Sequence, residues 1–332
     1  MQKLTDKFGR DITYLRLSVT DRCDLRCTYC MAESMIFLPR KDLLTFEEMD
    51  RLVAAFIERG VRKIRLTGGE PLVRRDVLPF IGELTRHLKS GAVDEVTLTT
   101  NGTQLSKYAE PLARAGVKRL NVSLDSRDPE VFAKLARRDM LQQVLDGIDA
   151  ALDAGLKVKL NTVAMKGVNQ AEIPDLLAWA HGKGMDMTLI EVMPMGAIDE
   201  DRVDQFLPLT AVKDDLDARY TLTPIDYRTG GPSRYMRVEE TGGRLGLITP
   251  LTNNFCAGCN RVRVTCTGRI YMCLGQDDYV DLREAMRGEN PEDALETALI
   301  RAMGAKPEKH DFNISKRDAK PAVGRHMSLT GG

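Results

Sequence analysis

The sequence predicts an α/β fold: one large barrel-like domain on a parallel sheet, followed by a smaller C-terminal appendage. Three observations predict it. The 332-residue length exceeds the roughly 250–300 residues at which a single hydrophobic core stops growing. Strand-like and amphipathic helix-like runs alternate through most of the chain, which implies parallel strands joined by helical crossovers. After about residue 220 this gives way to short strands separated by Gly-containing turns, so the chain divides into 1–220 and 221–332.

The elements follow in order. "TYLRLSV" is the first strand. Beyond a cysteine-bearing loop, "TFEEMDRLVAAFIERG" reads as a helix in which Thr45 and Glu48 form a capping box, Phe46, Met49, Leu52, Val53, Phe56 and Ile57 share one face, and Gly60 ends the run. Strands "VRKIRLT", "DEVTLTT", "KRLNVSLD", "KVKLNTV" and "DMTLIEVM" then alternate with helices over 76–89 and 104–115, helical segments up to Gly155, "EIPDLLAWAHGKG", and a sixth helix over 209–218. Polar residues collect at the carboxyl ends of these strands, as "TGGE" at 67–70, "TTNG" at 99–102, "SLD" at 123–125, "LN" at 160–161 and "EVM" at 191–193. In barrels of this construction that rim carries the active site. The later runs "RYMRVEE", "GRLGLITP", "NRVRVTC" and "GRIYMCL" read as a small meander or hairpins, before helices over 281–287 and 291–303 and a polar tail ending in "MSLTGG".

Apolar residues make up 43% and charged ones 29%, as in ordinary globular chains, so neither global disorder nor membrane residence is expected. With 48 basic and 48 acidic residues, no overall field attracts nucleic acid or a membrane surface, and 5% aromatics leave little for base stacking. Any anion site must be local. No apolar run approaches the ~18 residues of a membrane span, and "MQKLTDKFGRDITYLRLSV" lacks the apolar segment of a secretory signal, so a cytoplasmic setting is expected. In such a reducing compartment the seven cysteines read as metal ligands rather than disulfides.

Cys23, Cys27 and Cys30 stand on one loop after the first strand, with no histidine nearby, the first being His87. Zinc wants a fourth ligand, whereas three thiolates hold three corners of a 4Fe-4S cube and leave one iron open to a small molecule. A second group follows. Cys256 and Cys259 form a CxxC pair, and Cys273 comes after thirteen further residues. Strand alternation in "NRVRVTC" puts Arg261, Arg263 and Thr265 on one face and Val262, Val264 and Cys266 on the other, so Cys266 reads as a buried thiol. A zinc site of Cys256, Cys259, Cys266 and Cys273 is the alternative. Arg261 and Arg263, projecting together beside cluster ligands, suit a bidentate grip on phosphate.

"CDLRCTYC" after the first strand and "TGGEP" after the second resemble the radical S-adenosylmethionine (radical SAM) superfamily. Within it, "DITYLRLSVTDRCDLRCTYCM", "VRKIRLTGGEPLVRRD", "TLTTNG", "LNVSLDS", "VKLNTV", "IEVMP", "NFCAGCNRVRVT" and the terminal double glycine resemble the GTP 3′,8-cyclase family over essentially the whole chain. The resemblance implies a partial (βα)6 TIM-type barrel with a smaller C-terminal region carrying a second Fe-S cluster. It implies two 4Fe-4S clusters, held by Cys23, Cys27 and Cys30 and by Cys256, Cys259 and Cys273, with S-adenosylmethionine on the first and the purine on the second. By the same resemblance, a 5′-deoxyadenosyl radical takes the ribose C3′ hydrogen of GTP, and the C3′ radical attacks guanine C8. The product is (8S)-3′,8-cyclo-7,8-dihydroguanosine 5′-triphosphate, and the reaction opens molybdenum cofactor (molybdopterin) biosynthesis.

Carried over residue by residue, Tyr29, Gly69, Ser123 and Met193 contact S-adenosylmethionine. Arg16, Arg65, Thr99, Lys159, Arg261 and Arg263 contact GTP, with Lys63 as a further candidate. Arg16, Arg261, Arg263, Gly331 and Gly332 carry catalytic roles, the glycine pair by entering the cavity, which a backbone without side chains can do. Glycines 68 and 69 are expected to let backbone approach the methionyl end of the cofactor. Implied partners are a reductant such as flavodoxin or ferredoxin, the next-step cyclic pyranopterin synthase by product hand-over, and a second copy of the chain in a homodimer. Two other readings stay open: a radical SAM peptide maturase with an auxiliary cluster, and a zinc-bound binding module.

Overall fold

The structure is a computed structural model and describes residues 3–198, 202–314 and 321–331. The first part of the chain runs β1 (Tyr14–Ser18), α1 (Phe46–Glu58), β2 (Lys63–Thr67), α2 (Val77–Lys89), β3 (Glu95–Thr100), α3 (Leu105–Ala115), β4 (Arg119–Ser123), α4 (Pro129–Ala136), α5 (Leu141–Asp153), β5 (Lys157–Ala164), α6 (Ile173–Gly182), β6 (Asp186–Glu191), α7 (Arg202–Gln205) and α8 (Leu209–Asp217). The rest follows as β7 (Leu222–Ile225), β8 (Arg234–Val238), β9 (Arg244–Ile248), β10 (Arg261–Val264), β11 (Arg269–Tyr271), β12 (Tyr279–Asp281), α9 (Leu282–Arg287), α10 (Pro291–Ala305) and α11 (Met327–Thr330).

Local chemistry sets the helix ends where the sequence puts them. At α1 the Glu48 amide donates to Thr45 Oγ1 at 3.2 Å and the Thr45 amide donates to Glu48 Oε2 at 2.8 Å, closing the capping box. Met49, Leu52, Val53 and Phe56 are buried. Phe46 packs sideways instead, its ring stacked on Phe80 of α2 at 4.6 Å.

All the strands belong to one sheet, in the order β12-β11-β10-β1-β2-β3-β4-β5-β6-β9-β8-β7. The first six are parallel neighbours in sequence order, as the strand–helix alternation requires. The hairpins expected after residue 220 are present, but β10 pairs parallel with β1 and β9 pairs parallel with β6. They therefore widen the barrel sheet at both edges, across the boundary expected at 220. Period-2 alternation tells which face of a strand is apolar and is silent about which edge it joins. Two strands were not expected from the sequence. β7 carries Pro224 at the sheet edge, where a missing N–H is tolerated, and β12 has three residues.

The register positions the site. Leu15, Leu17, Ile64, Leu66, Leu120 and Val122 belong to the apolar core. The alternate positions line up across strands as Arg263, Arg16, Arg65 and Thr97, and as Thr99, Asn121 and Lys159. Glu191, at the end of β6, fastens the later half to this frame. Its fully buried carboxylate accepts from the amides of Leu209 (3.3 Å), Leu251 (2.9 Å) and Thr252 (3.2 Å) and from Thr252 Oγ1 (2.5 Å). A residue the sequence places on the functional rim is thus a structural tie. Glu191→Ala strands several buried donors and is expected to cost roughly 3 kcal/mol, with Glu191→Gln costing less because one acceptor remains. Chemical denaturation checks this; an alanine variant as stable as the parent would remove the tie.

Candidate active site

The loop after β1 brings Cys23, Cys27 and Cys30 together because its backbone is pinned on two sides. The amides of Arg26 and Thr28 donate to the carbonyls of Ala136 and Leu135, each at 2.9 Å. The amides of Gly69 and Glu70 donate to the carbonyls of Thr20 and Arg22 at 2.9 and 2.8 Å. A Cβ on Gly69 would overlap the Arg22 carbonyl, and one on Gly68 the Thr20 carbonyl. The close approach those glycines permit is therefore to the cysteine loop itself. Glu70, fully buried and pushed up to about 8 by burial, accepts from the Asn101 amide at 2.6 Å and Thr100 Oγ1 at 2.9 Å, tying β2 to β3.

Burial raises all three thiols, Cys30 to about 12, with Glu70 adding to the rise at Cys23 and Cys30 adding to it at Cys27. Such sulfurs become thiolates when a metal replaces their protons. Three interacting thiols with little else to neutralise them fit a polynuclear metal core. Tyr29, on the same loop, donates to Asp125 Oδ2 at 2.7 Å, and the Val163 amide donates to Asp125 Oδ1 at 2.8 Å.

A separate chamber is lined by Arg16, Arg65 and Lys159 from β1, β2 and β5 and by Arg261 and Arg263 from β10, with Cys256, Cys259 and Cys273 in its wall. The five cations are 5–8% exposed, so Arg261 and Arg263 face the chamber rather than solvent. No carboxylate belongs to the described lining. Arg16 Nε and Nη2 and the Nε atoms of Arg65, Arg261 and Arg263 are buried without a hydrogen-bond partner, and Lys159 Nζ reaches only the Tyr235 hydroxyl at 3.1 Å. Burial, and then the neighbouring cations, hold Arg16 and Lys159 well below their ordinary values and Arg263 at about 10. An anion with several charges is the complement of this arrangement.

The same cations act on the second cysteine group. Burial works to raise Cys259, but Arg261 and Lys306 outweigh it and draw the thiol down to about 6. Arg10 Nη1 donates to the Cys256 carbonyl at 2.8 Å, and Arg325 Nη2 to that of Cys273 at 3.2 Å. Cys266 lies fully buried in the apolar core with Val262 and Val264, outside the chamber lining. A closed zinc site of Cys256, Cys259, Cys266 and Cys273 is therefore not formed, and no group of three His, Cys, Asp or Glu among the described residues converges on a single ion.

Of the other residues singled out in the sequence, Met193 lines the chamber, while Thr99 Oγ1 is buried without a hydrogen-bond partner outside its lining. Lys63 is already engaged, with Glu95 Oε2 and the Thr229 carbonyl each 2.5 Å away. Ser123 ends β4, two residues before Asp125. The first cysteine group does not line the cation chamber. The tail comes to that group instead. Ser328 and Thr330 are buried, the Ser328 amide hydrogen-bonds to the Cys30 thiol, and Gly331, at φ +71°, sits so close to Thr67 that a Cβ would overlap it. Gly332 lies outside the described residues. Sequence reasoning missed Asp125, although "SLD" stood at the rim, and Arg10 and Arg325, for which no local signal existed.

Crowding five cations without counter-charge trades stability for binding. Arg65→Met is expected to leave the nucleotide-free protein as stable as the parent or more so, while largely losing the stabilisation that inorganic triphosphate gives the parent. Paired melting curves check this; an unaltered triphosphate response would show that the chamber is not the anion site.

Comparison with known proteins agrees with this geometry. Residues 17–180 match the family model for the radical SAM superfamily, and residues 185–312 match the model described as Molybdenum Cofactor Synthesis C. The chain is 61% identical over 331 residues to a GTP 3′,8-cyclase of Brucella canis, covering 100% of this chain and 96% of that one. It is 62% identical over 329 residues to that of Rhizobium etli, covering 99% and 94%. Among solved structures, Streptococcus suis SuiB bound to S-adenosylmethionine superposes with TM-score 0.62 at 15% identity, over 90% of this chain and 67% of that one. Native anSMEcpe with bound AdoMet gives 0.55 at 14% identity, over 86% and 83%. These two share the fold. The chain belongs to the GTP 3′,8-cyclase family of the radical SAM superfamily.

Proposed function

We propose that the cation chamber takes the triphosphate of GTP, with the guanine turned toward Cys256, Cys259 and Cys273. The observation that carries this assignment is the set of five buried cations, the four arginines with unpartnered N–H groups, and no carboxylate in the described lining. As a member of its family the chain is a radical SAM enzyme with two 4Fe-4S clusters that converts GTP into 3′,8-cyclo-7,8-dihydro-GTP for molybdenum cofactor biosynthesis. The first cluster and S-adenosylmethionine, when bound, supply the one-electron chemistry that opens the reaction at ribose C3′.

The chain's own residues bind and orient. Arg16, Arg65 and Lys159, on three different strands, grip phosphate oxygens from converging directions, with Thr99 as a further hydroxyl donor. Arg261 and Arg263 stand between the phosphates and the cysteines, where they fix the nucleotide's long axis. Holding ribose C3′ and guanine C8 in one conformer and excluding water are worth more here than any proton transfer. Tyr29, Gly69, Ser123 and Met193 are assigned to S-adenosylmethionine, with Tyr29 pinned by Asp125 and Met193 in the chamber wall. Residues 1–220 thereby provide the radical SAM barrel and three of the five phosphate-gripping cations, and 221–332 the auxiliary-cluster region with the other two. Gly331 and Gly332 are assigned a part in activating the substrate. A one-electron reductant such as flavodoxin or ferredoxin, hand-over of product to cyclic pyranopterin synthase, and a homodimer complete the proposal.

Anaerobic incubation of the reconstituted chain with GTP, S-adenosylmethionine and dithionite is expected to yield 5′-deoxyadenosine together with the cyclised nucleotide. Removing a charge that grips a buried phosphate costs about 2–5 kcal/mol, so Arg263→Met is expected to lose roughly 30-fold or more in kcat/KM. If 5′-deoxyadenosine forms without any cyclised nucleotide, GTP is not the substrate of this chamber. A chain lacking Gly331 and Gly332 is expected to bind GTP as the parent does and to cyclise it slowly; unchanged turnover would remove the tail from the reaction.

A further inference from the structure

We propose that Lys306 is a positioning residue of the second cluster. Its ammonium group donates to the Cys259 sulfur, clamps the two arms of the cysteine site to each other, and so sets the reduction potential of the cluster they hold. The inference rests on the reading of Cys256, Cys259 and Cys273 as cluster ligands.

Lys306 follows directly after α10, far in sequence from every cysteine, and is 1% exposed. A lysine this deeply buried destabilises a fold unless each of its donors is satisfied. All three are. Lys306 Nζ lies 3.6 Å from Cys259 Sγ, 3.1 Å from the Arg261 carbonyl and 2.6 Å from the Met272 carbonyl. Arg261 is two residues beyond Cys259, and Met272 immediately precedes Cys273. One ammonium group therefore joins the start of β10, two residues beyond Cys259, to the segment just past β11 that carries Cys273, fixing the separation a cluster must span.

The contact with sulfur sets this lysine apart from a residue that only satisfies carbonyls. Arg10 and Arg325 also hold the second group, but they bond to the carbonyls of Cys256 and Cys273 rather than to sulfur. Among the described residues, Arg261 is the other cation that reaches a sulfur of this group, with Nη2 at 3.9 Å from the same Cys259 Sγ, and its guanidinium faces the chamber. At the first group the corresponding donors are neutral: the Asn101 side-chain amide, 3.6 Å from Cys23 Sγ, and the Ser328 backbone amide at Cys30. Hydrogen bonds and positive charge at a ligating sulfur favour the reduced, more negative state of an iron–sulfur cluster, so an ammonium in this place raises the potential. The two clusters of the chain thus differ in poise through a residue that touches neither substrate nor cofactor.

The test uses the full chain, reconstituted anaerobically, as the parent, Lys306→Met and Lys306→Arg. Iron per chain is measured, and both clusters are titrated by electron paramagnetic resonance against potential. The first cluster is expected to titrate alike in all three. The second is expected to move to more negative potential in Lys306→Met and to stay near the parent value in Lys306→Arg. Should Lys306→Met keep the first cluster and fail to assemble the second while Lys306→Arg assembles both, the clamp is equally supported. An unchanged second potential in Lys306→Met, or an arginine variant as impaired as the methionine one, overturns the inference. A parent chain that takes up iron for one cluster only overturns the reading of the second site, and the inference with it.

Discussion

Like charges buried together without a counter-charge dominate this molecule. Arg16, Arg65, Lys159, Arg261 and Arg263 converge in a chamber whose described lining holds no carboxylate, and each repels the others across a medium that screens poorly. The fold tolerates them because they are rooted in a parallel sheet whose outer face is packed against helices. Strand register places Arg263, Arg16 and Arg65 side by side, so the repulsion cannot relax without breaking the ladder. Such a chamber is preorganised: the orientation of its donors is settled during folding, and a polyanion enters a field that already exists.

The two cysteine groups offer the same number of sulfurs in opposite surroundings. Around Cys23, Cys27 and Cys30 the nearest charges are carboxylates, Glu70 and Asp125, and the thiols are raised. Around Cys259 they are the cations Arg261 and Lys306, and that thiol is lowered, although burial still raises Cys273. The first environment disfavours added negative charge, as suits a centre that must give an electron away. At Cys259 the second favours it. One barrel therefore carries two iron–sulfur sites with separate electrostatic settings, and the setting belongs to the protein around the ligands.

The glycines of "TGGE" and the glutamate of "EVM" show why rim residues are hard to assign from sequence. Gly68 and Gly69 make room for the cysteine loop's backbone, and Glu191 ties β6 to two later segments, so both act in construction as well as standing at the functional edge. Asp125 is a third case, an acid that orients Tyr29 and anchors β5 at once.

By itself the sequence determined what depends on local geometry. The spacing of Cys23, Cys27 and Cys30, the alternation that puts Arg261 and Arg263 opposite Cys266, and the capping box at Thr45 are fixed by helix and strand repeats of a few residues, and the structure carries each of them. The tertiary structure alone decided what depends on sheet order. That β9 and β10 join opposite edges of the barrel, that Arg16 meets Arg263 from far along the chain, and that Arg10, Lys306 and Arg325 gather around the second cysteine group follow from which strands become neighbours. Side-chain periodicity determines the face a residue presents. Only the order in which strands become neighbours determines what that face meets.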